Sequence, residues 1–170
     1  MHPHIPPSPL LPELPRPWLF LAGAIDQDRA ERWQDVVIND CRDLPGTILN
    51  PRRANWDPTW NQSLDNPHFA GQVAWELDGL EQADVIICWL PATAQARISL
   101  MEIGLHARHG RLLIGCAMGF HSRGNVLAVG QRFGVPVVDT LPDLIAAAKQ
   151  RMSLIAAQDR LTTEFTGAKP

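Results

Sequence analysis

Apolar positions change period along the chain. Residues 18–24 form a short apolar run with the length of a strand. Asp28 followed by Glu31 has capping-box spacing, and Ala30, Trp33, Val37 and Cys41 then recur at helical intervals. Residues 47–49 give a second short strand. A polar stretch without periodicity, 50–67, separates it from an amphipathic helix marked by Phe69, Val73, Leu77 and Leu80. Residues 85–90 are apolar at every position, as in a parallel strand covered on both faces. Beyond them the pattern predicts a helix over 99–109 stopped by Gly110, a strand over 112–117 and a helix over 125–133 capped by Gly134. A strand over 135–138 and a helix over 144–157 complete the alternation. Five strands alternating with helices predict an α/β domain, with a mainly parallel sheet and helices on both faces.

Proline sets the boundaries. Seven of the 15 prolines precede Trp18. Residues 1–17 therefore read as an extended arm with no place in a ladder, 18–157 as one domain and 158–170 as a frayed tail. At 170 residues the chain can bury about two-thirds of its surface without disulfides or metals. A net charge of −3 argues against a general nucleic-acid binder.

Three scattered cysteines, Cys41, Cys88 and Cys116, form neither a disulfide framework nor, with the histidines, a zinc spacing. His106 and His109 lie at i, i+3 on a helix, where a solvated face is the plainer reading than a metal pair. No apolar run reaches the ~18 residues of a membrane span. The run after Arg16 makes a poor signal peptide, because seven prolines and Glu13 precede it. The expected location is cytoplasmic, with no membrane partner.

Ligands of parallel α/β sheets bind beyond the carboxyl ends of the strands, so the informative residues follow each strand. Gly23 and Asp26 follow the first; a lone glycine there serves either a close ligand or a plain turn. The 50–67 loop is long for a connection and carries Asn50, Arg52, Trp56 and Trp60. Tryptophan offers a face to a nucleobase and arginine a fork to a phosphate, although both tryptophans would equally fasten the loop to the body. Glu76, Asp78 and Glu102 are acids near the mouth of the central strand, and paired carboxylates suit glycosidic chemistry. Ser99 and Glu102 also have the spacing of a capping box, a purely structural role.

Five blocks in order, F-L-A-G-A-I-D (20–26), L-N-P-R-R-A-N-W-D-P-T-W (49–60), W-E-L-D-G-L-E-Q-A-D-V-I (75–86), I-S-L-M-E-I-G (98–104) and R-G-N-V (123–126), resemble the nucleoside 2-deoxyribosyltransferase-like group. The resemblance spans about 19–144. It implies a flavodoxin-like fold and transfer or hydrolysis at the N-glycosidic bond of nucleosides or nucleotides. It places Glu102 as covalent nucleophile, Glu76 as the acid protonating the base, Gly23 facing the ligand, and Asn125 reaching a neighbouring subunit's site; Asp78, beside Glu76, is the alternative acid. The chain departs from the transferases in having no tyrosine and no extra carboxylate at Gln95, Ala96 or Arg97.

The resulting expectation is two-step cleavage through a glycosyl-Glu102 intermediate, resolved by water or by a free nucleobase acceptor. No metal or organic cofactor is needed, and a dimer-based homo-oligomer is expected. A hydrolase of nucleoside 5′-monophosphates or NAD is the neighbouring alternative, with Ser99, Arg52 and the following helix N-terminus holding phosphate. A non-catalytic nucleotide sensor is the alternative of another class.

Overall fold

In a computed structural model of the chain, residues 1–25, 32–53, 56, 57 and 59–166 are described, with side chains through 162. Six strands form one sheet: β1 (His2–His4), β2 (Trp18–Gly23), β3 (Thr47–Leu49), β4 (Val85–Leu90), β5 (Leu112–Cys116) and β6 (Val137–Val138). Their order is β1-β3-β2-β4-β5-β6, and every pairing is parallel. The helices are α1 (Trp33–Asp40), α2 (Pro67–Gln82), α3 (Arg97–His106), α4 (Arg123–Phe133) and α5 (Leu141–Thr166).

The two-residue period of the strands sorts the core onto two faces. Phe20, Ala22, Ile86, Cys88, Leu90 and Ile114 pack with Trp75 and Leu80 of α2, Ile103 of α3 and Val126 of α4. Leu19, Leu21, Val85, Ile87, Trp89 and Leu113 pack with Trp33 and Val37 of α1, and with Leu144, Ala148 and Met152 of α5. Each fully buried aliphatic side chain is worth about 1.5–3 kcal/mol, so β2 and β4, covered on both faces, are held most strongly.

Local chemistry sets the helix ends. Asn66 caps α2 by accepting from His68 N (3.0 Å), with Pro67 at the first helical position, where no N–H is needed. Gly134 ends α4 in the left-handed conformation. The Asp28–Glu31 capping box lies outside the described residues, and α1 itself begins at Trp33 without a side-chain cap.

Two expectations are corrected. The sheet has a sixth strand, β1, inside the segment read as an arm unable to join a ladder. His2–His4 pairs with β3, at the sheet edge, where Pro3 can be accommodated. The rest of that segment packs on its own chain. Trp75 Nε1 donates to Ser8 O (2.8 Å), Thr47 Oγ1 to Pro15 O (2.7 Å), and Leu10 and Leu14 rest on the core. At the other end α5 continues as regular helix to Thr166, where fraying was expected from 158.

Asp84 locks the register of the central pair: its Oδ2 accepts from Trp18 N (2.7 Å) and from Arg16 (2.8 Å). At the far end of β2, Gly23 has φ +131°, and a Cβ there would lie 2.5 Å from Trp89 O. Gly134 (φ +69°) has open space around it. Gly23→Ala is therefore expected to lower stability by about 1–3 kcal/mol from backbone strain alone, with the clash in addition. Gly134→Ala is expected to cost about 1–2 kcal/mol. Urea midpoints of the two variants, compared with the parent, measure the difference.

Candidate functional site

Strand order reverses at β2: β3 lies on one side of it and β4 on the other. The chain leaves the carboxyl ends of β2 and β4 in opposite directions and opens a crevice between them. A cavity of about 400 Å³ fills this position. Its floor is Ala22–Ile25 after β2. One wall is the α2 face made by Phe69, Gln72, Val73, Glu76 and Leu80, residues three and four apart. The opposite wall is the start of α3: Ala96, Arg97, Ile98, Ser99, Met101 and Glu102. Pro51, Trp56 and Gln62 of the long loop close the top.

Glu76 and Glu102 thus reach one cavity from two helices. Burial raises the carboxyl pKa of both. For Glu76 the Nε2 donor of Gln72 (2.8 Å to Oε1) opposes the rise. Glu102 is pushed up to about 7, mainly by burial and then by the charge of Glu76. Two like charges in a half-buried site do not both ionise readily, so the pair retains a proton up to near neutrality. Beneath them the Cys88 thiol, also raised by burial, feels Glu102 and is fully enclosed. It is a core group, as are the free thiols Cys41 and Cys116.

The capping-box reading of Ser99 and Glu102 is overturned. Helix α3 begins two residues earlier, at Arg97, and its cap residue is Ala96, with no side-chain capping bond. Ser99 is buried in the first turn and Glu102 lies in the second. The helix dipole, which favours an ionised acid in the first turn, is accordingly outweighed by burial at Glu102. Ala96 itself adopts φ +45°, the left-handed region, at a cost of about 1–2 kcal/mol. That turn brings Arg97–Glu102 against the cavity.

The other expected residues are distributed as follows. Gly23 lines the cavity, and its missing side chain also admits the Trp89 backbone, with Ala24 N donating to Trp89 O (3.1 Å). Trp56 lines the cavity; Trp60 does not, but supports Trp56 edge-on (5.2 Å) while stacking on His68 (4.8 Å). Asn50 and Arg52 also stay outside the lining. Asn50 Oδ1 accepts from Arg52 N (3.1 Å), and Asn50 N donates to His4 O (3.0 Å), tying the loop to β1. Asp78, two residues from Glu76, is exposed on another face of α2, because a helix turns about 200° in two residues. Asn125 is exposed on α4, also outside the lining. Asp26 lies outside the described residues.

Gln72, Phe69 and Arg97 line the site although none of them was expected there from the sequence. For Gln72 and Phe69 the available signal was spacing: four and seven residues before Glu76 on one helix face. His106, read as part of a solvated face, is buried, and burial lowers its pKa. Among the described residues no group of three or more metal-ligating side chains occurs, and no helix is long and apolar enough to cross a membrane.

Two measurements follow from this geometry. A carboxyl whose pKa is higher folded (about 7) than in the unfolded chain (4.5) favours the folded state at low pH, and this advantage disappears as pH rises through 7. Glu102→Gln removes the buried charge. It is expected to be more stable than the parent at pH 8, by on the order of 2–3 kcal/mol, and equal to it near pH 4. Urea unfolding at the two pH values checks this. Trp56→Ala is expected to weaken ligand binding more than Trp60→Ala, with titration calorimetry as the measurement.

Comparison with known proteins places the chain. A family model described as nucleoside 2-deoxyribosyltransferase like matches residues 16–120. No curated protein matches the sequence. The crystal structure of a conserved protein from Enterococcus faecalis V583 superposes with a TM-score of 0.54 at 16% identity, covering 79% of this chain and 98% of that one. This likeness supports the flavodoxin-like α/β fold. With the family match extending over more than half of its length, the chain belongs to the nucleoside 2-deoxyribosyltransferase-like family.

Proposed function

We propose that the protein cleaves or transfers the N-glycosidic bond of a nucleoside or nucleotide, with Glu76 and Glu102 as the reacting pair. The observation that carries this reading is the meeting of two half-buried carboxyls in one cavity, with Glu102 raised to about 7 partly by Glu76. The pair holds one proton; burial and the charge on Glu76 raise Glu102 to about 7, so in the free site Glu102 keeps that proton, and two-step glycosidic chemistry requires it to pass to Glu76 once substrate is bound.

In the first step the Glu102 carboxylate attacks C1′. The C1′–N bond breaks, its electron pair leaves with the base, and Glu76 delivers its proton to the base. The positive charge developing at C1′ favours the ionised form of Glu102 at that moment. In the second step Glu76, now a carboxylate, takes a proton from water as its oxygen attacks C1′ and releases Glu102. A second nucleobase in place of water gives transfer. The apolar part of the cavity, with Trp56, Phe69 and Val73, suits a flat base, and limited water keeps the intermediate available to an acceptor. Neither step calls for a metal or an organic cofactor.

A 5′-monophosphate as substrate is the second reading. Arg97 and the buried Ser99 both line the cavity in the first turn of α3, which contains no acidic residue. A helix start beside an arginine suits a phosphate. Arg52, placed outside the lining, is replaced by Arg97 in this role. Asn125 acts, under the family resemblance, in the cavity of a neighbouring copy. A dimer-based oligomer is therefore part of the proposal, and light scattering at micromolar concentration tests it.

The decisive experiment is incubation with nucleosides, 2′-deoxynucleosides, their 5′-monophosphates and NAD, with and without an acceptor base, followed by chromatography. Released or exchanged base is the expected result. Ligand binding without any released base would leave a sensor module in its place. Glu102→Gln is expected to lower turnover by at least about 10³-fold while ligand binding persists. The parent's kcat/KM is expected to fall as pH rises through about 7, where the pair loses its last proton. Arg97→Ala is expected to raise KM for a 5′-monophosphate while leaving that for the nucleoside in place.

A further inference from the structure

Gln72 is one turn before Glu76 on α2, buried in the wall of the cavity. Its amide nitrogen donates twice, to Glu76 Oε1 (2.8 Å) and to the carbonyl of Pro51 (2.8 Å). Both acceptors are oxygens. Turning the amide over would set its own oxygen against them, so the orientation is fixed by its partners. The amide oxygen is buried and has no hydrogen-bond partner among the described residues. Leaving a buried acceptor unpaired is unfavourable, and here it accompanies an arrangement that aims both N–H groups. Pro51 follows Asn50, which is bonded to β1 through His4 O and to Arg52 N, so the far end of the clamp is anchored to the sheet edge.

We propose that Gln72 is the positioning residue for the acid in the glycosidic step: by occupying Oε1 of Glu76 as an acceptor, it leaves Oε2 to carry the proton delivered to the base. This rests on the reading of Glu76 as the acid. A neutral carboxyl has one acceptor oxygen and one hydroxyl oxygen, and a donor held on one of them decides which is which. The same donor favours the carboxylate that Glu76 becomes after the proton has left. Among the described residues lining the cavity, the other charged or titratable side chains are Glu102 and Arg97, both from α3. The floor after β2 (22–25) and the roof residues Pro51, Trp56 and Gln62 add none. Cys88 of β4 lies beyond Glu102.

The test uses Gln72→Met, similar in length and without N–H donors. Gln72→Leu, apolar and without added charge, serves if the first does not fold. Carbon-13 NMR of the carboxyls, with the Glu76 signal assigned by its loss in Glu76→Gln, gives the titration midpoint of Glu76. It is expected to rise by about half to one pH unit in the variant. An unchanged midpoint would overturn the proposal whether or not any substrate has been found.

Kinetics give the second measurement. With an ordinary purine nucleoside, whose base must be protonated to leave, kcat is expected to drop about tenfold or more, with KM little changed and the falling limb of the pH profile moved upward. With an N7-methylated purine nucleoside, whose base is already cationic, the variant is expected to match the parent. Equal losses on both substrates would make Gln72 a structural residue only. A parent that releases no base from either substrate would remove the reading of the site as glycosidic, while the NMR titration still decides whether Gln72 controls the proton on Glu76.

Discussion

Burial of β2 and β4 on both faces is the constraint on which the other parts depend. Each strand feeds alternate side chains into two separate cores, so a one-residue slip would exchange the two sets. Asp84 fixes the start of the pair by holding Trp18 N, and Gly23 lets its end close against Trp89. Once the register is set, the chain must leave these strands toward opposite sides of the sheet. The crevice opens where these segments part, and it is walled by α3, which leaves β4, and by α2, packed on the same face of the sheet.

The same enclosure governs the chemistry. In water two glutamates ionise near their ordinary pKa. In this cavity burial acts on both, and the charge of one raises the other. The strain at Ala96 and the buried charge of Glu102 above pH 7 are local costs, sustained by the two cores beneath them. Such costs concentrate where a fold serves function rather than stability.

The edge of the sheet contributes in a less direct way. The segment 1–17 supplies β1, and Trp75 of α2 is held by Ser8 O on one side while packing on Phe20 on the other. The loop after β3 starts from Asn50, bonded to β1, and its Pro51 carbonyl receives Gln72. The N-terminal strand is thus linked to Glu76 through the His4–Asn50 hydrogen bond, the Asn50–Pro51 peptide and the two bonds of Gln72. The prolines restrict hydrogen bonding in this segment, and an edge position requires only one bonded side.

The sequence by itself determined the alternation of elements and five of the six strands, and it pointed to the region after β2 and β4, where the cavity lies. These are written in local periodicity, in Gly134 and in the run 85–90, and need no knowledge of distant contacts. The five ordered blocks likewise carried the family. Tertiary structure alone decided what depends on neighbours distant in sequence. It brought the first residues into the ladder through pairing with 47–49. It moved the start of α3 to Arg97 and so changed Glu102 from a cap partner into a half-buried acid of the cavity wall. It left Asp78 in solvent beside Glu76, buried His106, and placed Gln72 between two oxygens. Burial, electrostatic coupling and hydrogen-bond partnership belong to the assembled surroundings of a residue, and a pattern read along one chain cannot express them.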